Sequence, residues 1–139
     1  MGHTSRSRFT VRSYEVDSYG HVNNGVYVNW FEQGRLDWLE GLGFSYDGFA
    51  ERQEWFVVGR TEVVFQLPLR GGDEVELVSR VESLGRTSVR FVQEMLRCEG
   101  GAATDVVVSS ARTVMVFSGP GGGSTPIPDD FRQAVEGAG

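Results

Sequence analysis

The chain is short and acidic, with 139 residues, a formal net charge of −6 and arginine as its only basic residue apart from histidine. One domain of this length can bury a substantial hydrophobic core. An acidic chain without a basic stripe binds nucleic acid poorly, so we predict no nucleic-acid partner.

Cysteine, histidine and the apolar segments narrow the possibilities further. Cys98 is the only cysteine, and His3 and His21 are the only histidines, so we expect no disulfide framework and no metal site. No apolar run reaches the length of a membrane span, and the polar first eight residues do not resemble a signal peptide. We therefore expect a cytoplasmic protein with no membrane partner.

The first half of the chain predicts one strand and one long helix. Residues 9–16 alternate and are rich in strand-forming side chains. A loop over residues 17–23 and a helix to about Leu42 follow, with Gly41 and Gly43 at the helix end. Residues 44–54 mix aromatic and acidic side chains, and we expect a mobile connection there.

Four further strand patterns follow, over residues 55–67, 74–83, 88–99 and 104–117. Short turns that contain glycine join several of them, so neighbouring strands should run antiparallel. The expected fold is α+β, with one long helix wrapped by a five-stranded antiparallel sheet in a domain of residues 1–117. Residues 118–139 begin with a stretch rich in glycine and proline. We expect a flexible linker there, followed by a short, peripheral C-terminal tail.

The predicted helix has a wide apolar surface. At 100° per residue its polar residues fall on one narrow stripe, so other structure should cover most of it. Gly34 lies on the apolar arc, where a missing side chain allows close contact with a sheet. Arg35 lies on the same arc, with Glu32 three residues before it, and we predict a partly buried ion pair between them.

The loop Asp17-Ser-Tyr-Gly-His-Val-Asn-Asn24 opens this helix. Asparagine is a preferred N-cap, so either Asn23 or Asn24 should cap the helix. The helix N-terminus carries unpaired backbone amides and the positive end of the dipole. Asp17 would add an ionisable carboxylate nearby. Such a site can polarise a carbonyl group and attack it.

The motif Asp17-x-x-Gly-His-Val-Asn-Asn-x-x-Tyr27, followed by Glu32-x-x-Arg35, resembles the hotdog-fold acyl-CoA thioesterases, in the branch typified by 4-hydroxybenzoyl-CoA thioesterase. The order of elements extends the resemblance over residues 9–117. It implies a helix wrapped by a curled sheet and two chains that pair their sheets. It also implies active sites at the dimer interface, so we expect a homo-oligomer, either a dimer or a homotetramer.

The resemblance implies that Asp17 drives hydrolysis of an acyl thioester, as nucleophile or as general base for water. The residues do not separate these two routes. Backbone amides at Asn24 and Gly25 are the expected oxyanion donors. The structural alternatives are that Asp17 only binds amides of its own loop and that the asparagines only cap the helix.

Neighbouring residues of the motif have weaker assignments. We expect His21 and Asn23 to support the loop, and Tyr27 to form part of the acyl pocket, with ordinary core packing as the alternative for Tyr27. Glu32 is a second-choice acid, since some hotdog thioesterases place theirs on this helix, but a structural pair with Arg35 is preferred.

The turn Gly85-Arg-Thr-Ser-Val-Arg90 also resembles that family. Arg86 and Arg90 flank it, and arginine suits contacts with the phosphates of coenzyme A. A solvated hairpin tip is an equally good explanation. Coenzyme A would be part of the substrate, and no separate cofactor is expected.

The sequence thus predicts a homo-oligomeric acyl-CoA thioesterase. Two alternatives stay open: a hydrolase of acyl carrier protein thioesters, and a non-catalytic hotdog module that binds acyl groups or takes part in assembly. The acyl group cannot be identified from these residues.

Overall fold

The computed structural model describes residues 1–138. Its main elements, in chain order, are β1 (Thr4–Thr10), α1 (Asn24–Gly41), α2 (Tyr46–Glu51), β2 (Trp55–Phe65), β3 (Glu74–Leu84), β4 (Ser88–Glu99), β5 (Ala102–Ser118) and α3 (Asp129–Gly137). The predicted long helix and the four later strands are present within a few residues of the expected bounds. The class is α+β, as predicted.

The five strands form one antiparallel sheet in the order β1-β3-β4-β5-β2. Tight turns join β3 to β4 and β4 to β5, which makes these three strands neighbours along the chain and in space. The edges of the sheet are therefore β1 on one side and β2 on the other.

The first strand lies earlier than its prediction, at Thr4–Thr10 instead of residues 9–16. Its pairing with β3 is reinforced by ion pairs, with Arg6 and Arg8 each within 3.0 Å of Glu76. Because most residues of this strand are polar, the segment shows no alternation of apolar and polar side chains, and the sequence pattern did not predict a strand there. Part of the predicted strand is instead a short 3-10 helix, Ser13–Glu15.

Helix α1 lies close to the sheet at Gly34. A Cβ atom on Gly34 would lie 2.5 Å from Leu77 Cδ2 and 2.8 Å from Ser79 Oγ, both on β3. The absence of a side chain therefore allows the helix to approach the sheet, as predicted.

The segment after α1 contains a helix, where we expected a mobile connection. Ser45 caps α2 by accepting a hydrogen bond from the Gly48 amide at 3.0 Å, and the Phe49 side chain is 1% exposed. One large buried aromatic side chain is enough to hold so short a helix against the core.

The C-terminal segment packs into the core, whereas we expected a peripheral tail. Phe131 of α3 is fully buried, with its ring centroid 5.1 Å from Phe44 and 6.2 Å from Trp38. Val135, four residues later on the same helix face, is also buried. The hydrophobic core thus continues past residue 117 and includes α3.

The core has two parts, one near each end of α1. The first surrounds the start of α1 and includes Tyr27, Phe31, Leu69, Val75 and Met95. The second surrounds the end of α1 and includes Trp38, Phe91, Met115, Phe117 and Phe131. The Asp17 loop therefore lies at the first end. Within residues 1–138, no helix has the length and apolar character to cross a membrane, and no cluster of three or more His, Cys, Asp or Glu side chains could hold a metal.

Candidate active site

The loop that carries Asp17 is a closed turn. Val16 and Val22 form an isolated antiparallel bridge, and inside it the Asp17 amide donates to the His21 carbonyl at 2.8 Å. The Gly20 amide donates back to the Asp17 carbonyl at 3.0 Å. Gly20 has a φ of +78°, a conformation that glycine adopts without strain.

Two backbone hydrogen bonds anchor this turn to the fold. The Val22 amide donates to the Leu69 carbonyl and the Asn23 amide donates to the Glu15 carbonyl, each at 2.9 Å. Val22 and Leu69 are buried, while Asp17 is exposed. The fold therefore presents the Asp17 carboxylate to solvent from a fixed backbone.

One carboxylate oxygen of Asp17 is engaged and the other is free. Oδ1 accepts from the Tyr19 amide at 2.8 Å and from the His21 amide at 3.3 Å. Oδ2 has no hydrogen-bond partner among residues 1–138. The loop-binding alternative is thus realised by one oxygen, which fixes the orientation of the carboxylate group.

The helix N-terminus presents one free amide. Asn23 is the N-cap, and its Oδ1 accepts from the Gly25 amide at 2.8 Å. Because that amide is already engaged by the cap, Gly25 is a poorer oxyanion donor than we expected. The Asn24 amide has no partner in the described part of the chain, and it lies at the positive end of the α1 dipole.

Two further residues of the motif lie in different surroundings, His21 in the loop and Tyr27 in the core. His21 is half-buried in the loop, and its ring makes no hydrogen bond to another described residue. Tyr27 is 3% exposed and packs edge-to-face on Phe65, with ring centroids 5.2 Å apart. Its position is that of an ordinary core residue, the alternative we gave for this side chain.

The predicted pair between Glu32 and Arg35 is absent. Glu32 is exposed, and no oxygen of any described carboxylate lies within 4.0 Å of an Arg35 nitrogen. Arg35 is 5% exposed and points into the protein, where its Nη1 donates to Gln93 Oε1 at 3.3 Å. Burial lowers the pKa of the Arg35 guanidinium, and nearby Tyr46 and Glu32 offset only part of that effect. The spacing of three residues allows an ion pair on a helix, but the pair does not form because the arginine side chain points inward.

Arg86 and Arg90 lie far from Asp17 within one chain. The Asp17 loop lies near the turn that precedes β3, since a Cβ added to Gly71 would lie 3.9 Å from Val16 Cγ2. Arg86 follows the other end of β3. At the rise per residue of an extended strand, the length of β3 separates Arg86 from the Asp17 loop by about 30 Å. Arg90 stands between buried Val89 and Phe91, so its side chain is on the sheet face opposite α1.

Sequence reasoning missed a cavity beside α1. It measures about 170 Å³ and lies between α1 and β2. Its lining residues are Val28, Phe31, Glu32, Arg35, Val58, Thr61 and Val63. The spacing of Val28 and Glu32, four and eight residues after Asn24, was a signal for one wall. The β2 wall had no sequence signal, because the strand approaches the helix only in three dimensions.

Comparison with known proteins places this chain in a family. A family model described as "Thioesterase-like superfamily" matches residues 11–135. The chain is 30% identical over 98 residues to the acyl-CoA thioester hydrolase YbgC of Escherichia coli O6:H1, covering 69% of this chain and 73% of that protein. It is 31% identical to a thioesterase from Thermus thermophilus crystallised with coenzyme A and zinc, with a TM-score of 0.78 over 95% of this chain and 91% of that one.

Two further similarities concern fold and length. A crystal structure of 4-hydroxybenzoyl-CoA thioesterase matches with a TM-score of 0.87 over 96% of this chain and 99% of that one, at 14% identity, which is a likeness of fold. The acyl-acyl carrier protein thioesterase ATL3 of Arabidopsis thaliana is 35% identical over 58% of this chain, which spans only 43% of that protein. The chain thus has the hotdog fold and belongs to the thioesterase-like superfamily, with 4-hydroxybenzoyl-CoA thioesterase among its structural relatives.

Proposed function

We propose that this chain hydrolyses acyl-CoA thioesters to a free acid and coenzyme A. One observation carries the proposal: the Asp17 carboxylate, with one free oxygen, sits on an anchored loop that leads directly into the unpaired Asn24 amide. Membership of the thioesterase-like superfamily supports it, as does the activity for which YbgC is named.

The reaction can follow either of two routes from Asp17. As a nucleophile, Asp17 attacks the thioester carbon, the C–S bond breaks to release the thiolate of coenzyme A, and water then hydrolyses the mixed anhydride. As a general base, Asp17 takes a proton from water, hydroxide attacks the same carbon, and the thiolate leaves and takes up the proton. In both routes the Asn24 amide donates to the oxyanion that forms on the carbonyl oxygen.

The decisive variant is Asp17→Asn. The side chain keeps its shape and an oxygen for the Tyr19 and His21 amides, but it loses the negative charge that attacks or accepts a proton. We expect kcat to fall by about 10²–10⁴-fold, with little change in KM or melting temperature. Steady-state hydrolysis of an acyl-CoA panel, with detection of the released thiol, measures this.

An Asp17→Asn protein that melts normally and hydrolyses its best thioester within about threefold of wild type would remove Asp17 from the mechanism. Glu32→Gln is then the next variant, because Glu32 is the second-choice acid of the sequence motif. If neither variant reduces turnover, the catalytic group is a residue other than these two. If the wild type itself hydrolyses no thioester of the panel, the non-catalytic acyl-binding module becomes the better description.

The carrier of the acyl group distinguishes the main alternative. ATL3 is named for acyl carrier protein thioesters, so such a substrate is the second candidate. A coenzyme A hydrolase should lose efficiency when a pantetheine thioester replaces the CoA ester. A carrier-protein hydrolase should prefer the acylated carrier protein over both small substrates.

We also propose that the protein works as a homo-oligomer, a dimer or a tetramer, with a site completed by the partner. β2 is an edge strand with exposed Trp55, Val57 and Phe65. Antiparallel pairing of two β2 strands would set the Trp55 end of one against the Phe65 end of the other. Since Trp55 pairs with Ser118, near the Arg86 turn, the partner's Arg86 would then lie at the end where this chain holds Asp17.

The double variant Arg86→Ala/Arg90→Ala tests whether these arginines bind the nucleotide. Phosphate contacts stabilise ground and transition states alike, so KM for acyl-CoA should rise while kcat stays nearly constant. The effect should be smaller on a pantetheine thioester. Equal losses on both substrates would mean that the two arginines have a structural role only.

A further inference from the structure

The chain contains one Asn-Gly pair, Asn24-Gly25, and one Asp-Gly pair, Asp47-Gly48. Both pairs lie in the first turn of a helix, the first in α1 and the second in α2. Before a glycine, the side-chain carbonyl carbon of Asn or Asp can form a ring with the next backbone nitrogen with little hindrance, because glycine has no side chain and is conformationally free. These two pairs are therefore the positions most open to spontaneous modification of the backbone.

The glycine amide of each pair is bound by the N-cap of its helix. Asn23 Oδ1 accepts from the Gly25 amide at 2.8 Å, and Ser45 Oγ accepts from the Gly48 amide at 3.0 Å. Amides of the first helical turn have no acceptor within the helix, so the cap is the group that holds them. The same arrangement thus occurs at both reactive pairs.

We propose that Asn24 is a site of spontaneous deamidation and that the Asn23 cap controls its rate. In this reaction the Gly25 nitrogen loses its proton to solvent and attacks Cγ of Asn24. The Cγ–Nδ2 bond breaks, and Nδ2 takes up a proton and leaves as ammonia. Water then opens the succinimide ring: cleavage of the new Cγ–N bond gives Asp, and cleavage of the original peptide bond gives isoaspartate.

The reaction requires two changes at the start of α1. The Gly25 nitrogen must give up its hydrogen bond to Asn23, and the backbone of Asn24 must leave the helical conformation so that this nitrogen can reach Cγ. Fraying of the first turn provides both changes, and the cap opposes fraying. Asn24 is exposed, and its side chain makes no hydrogen bond to residues 1–138. The cap and the helical backbone are therefore the restraints on this step.

Deamidation would inactivate the site, a consequence that rests on the proposed function. The new carboxylate would belong to the residue whose amide is the proposed oxyanion donor, and like charges repel. The isoaspartate product also adds one carbon to the backbone, which moves this amide out of the helical turn. The chain would thus have a limited active lifetime, which the Asn23 side chain prolongs.

Incubation of the full chain at mildly alkaline pH, followed by trypsin digestion and mass spectrometry, tests the modification. Cleavage after Arg12 and Arg35 releases one peptide, residues 13–35, in which fragmentation locates the change. Loss of an N-cap side chain raises the frayed population by about 2- to 30-fold, so Asn23→Ala should accelerate deamidation of Asn24 by that factor. Asn23→Ser keeps a capping oxygen and should match the wild-type rate.

Ser45→Ala is the matched control, because it removes the same kind of cap from α2. It should leave the rate at Asn24 unchanged and accelerate conversion of Asp47 to isoaspartate, which an isoaspartyl methyltransferase detects. The double variant Asn23→Ala/Gly25→Ala should deamidate slowly, because a side chain in place of the glycine hinders ring closure. Equal rates at Asn24 in Asn23→Ala and Ser45→Ala would overturn the proposal.

Wild type alone provides a second test, in case Asn23→Ala does not fold. Urea releases the cap, so Asn24 should deamidate several-fold faster in unfolded than in native protein, and equal rates would overturn the proposal. In the native protein, kcat should fall in step with the fraction of Asn24 converted. Full activity after conversion would overturn the inactivation. Fresh protein that hydrolyses no thioester would instead overturn the proposed function, which the mass measurement does not involve.

Discussion

At the scale of single residues, the N-terminus of α1 shows how one side chain sets the role of its neighbours. Asn23 caps the helix and engages the Gly25 amide, which leaves the Asn24 amide without a partner among the described residues. In the proposed mechanism, capping and oxyanion binding are therefore divided between consecutive residues. One preferred capping residue followed by a second asparagine is enough to produce this arrangement.

Gly34→Ala should destabilise the fold although alanine is the better helix former. The intrinsic gain is about 1 kcal/mol, whereas the added Cβ would lie 2.5 Å from Leu77 Cδ2, and such overpacking costs about 1–3 kcal/mol. Urea unfolding measures the difference. Gly137→Ala on α3 is the control, since nothing lies within 4 Å of its Cβ position. A stabilised Gly34→Ala protein would mean that helix and sheet separate easily here.

At the scale of elements, α3 is part of the domain core. Phe131 contacts aromatic rings from five other elements or loops, among them Phe44, Phe49 and Phe117. The Ile127 amide also donates to the Arg86 carbonyl at 2.9 Å, which fixes the chain before α3 against the β3–β4 turn. The glycine-rich segment therefore connects two parts of one core.

Phe131→Ala should cost about 3–5 kcal/mol of unfolding free energy, because it removes a fully buried aromatic side chain and leaves a cavity. Chemical denaturation followed by tryptophan fluorescence measures it, since Trp38 lies against this ring. Gln133→Ala, exposed on the same helix, should change stability by less than about 0.5 kcal/mol. Similar small effects for both variants would mean that α3 is peripheral to the core, as the sequence predicted.

The attachment of α3 should also depend on pH through Asp130. The Arg52 guanidinium, 2.8 Å away, and the Phe131 amide hold the pKa of Asp130 below its ordinary value. A lowered folded-state pKa means that this stabilisation is complete above about pH 4, the unfolded value, and is lost as pH falls through the folded value. Because the Asp130 side chain is 55% exposed, we expect only about 0.5 kcal/mol.

Asp130→Asn tests that dependence. The variant should be slightly less stable than wild type at pH 7, and the difference should vanish at strongly acidic pH, where the wild-type carboxyl is protonated. Thermal melts of both proteins across the acid range measure it. A difference that stays constant with pH would assign the effect to packing instead of charge.

At the scale of the whole molecule, the two edges of the sheet differ in chemistry. β1 carries Arg6 and Arg8, charges of the kind that protect an edge strand from pairing. β2 is long and exposes Trp55, Val57 and Val58, at 43%, 46% and 47%. An exposed apolar edge favours pairing with another chain, so the contrast supports association through β2.

We predict a dimer or tetramer at micromolar concentration. Val57→Lys on β2 should shift the light-scattering mass toward the 15.3 kDa monomer, because a charge on the edge opposes strand pairing. Thr4→Lys on β1 should leave the oligomer intact. A wild-type protein that scatters only as a 15.3 kDa species would contradict both the assembly and the two-chain site.

The sequence alone determined the features that depend on neighbours along the chain. The capped start of α1, the Asp17 turn and the antiparallel order of β3, β4 and β5 follow from side-chain period, capping preference and short turns. The part of the thioesterase motif from Asp17 to Tyr27 lies within this local category, since its residues occupy one loop and the helix turn that follows.

Tertiary structure decided the features that join residues distant in sequence. β1 pairs with β3 in a register that places Arg6 and Arg8 against Glu76, and α3 enters the core through Phe131, although neither segment had a strong local pattern. Arg35 and Glu32 line the same α1–β2 cavity, but Arg35 donates to Gln93 and Thr113 of the sheet, partners that no spacing along the chain indicated. Burial of long-range contacts contributes more free energy than local preference at such positions, and this contribution exists only once the chain is folded.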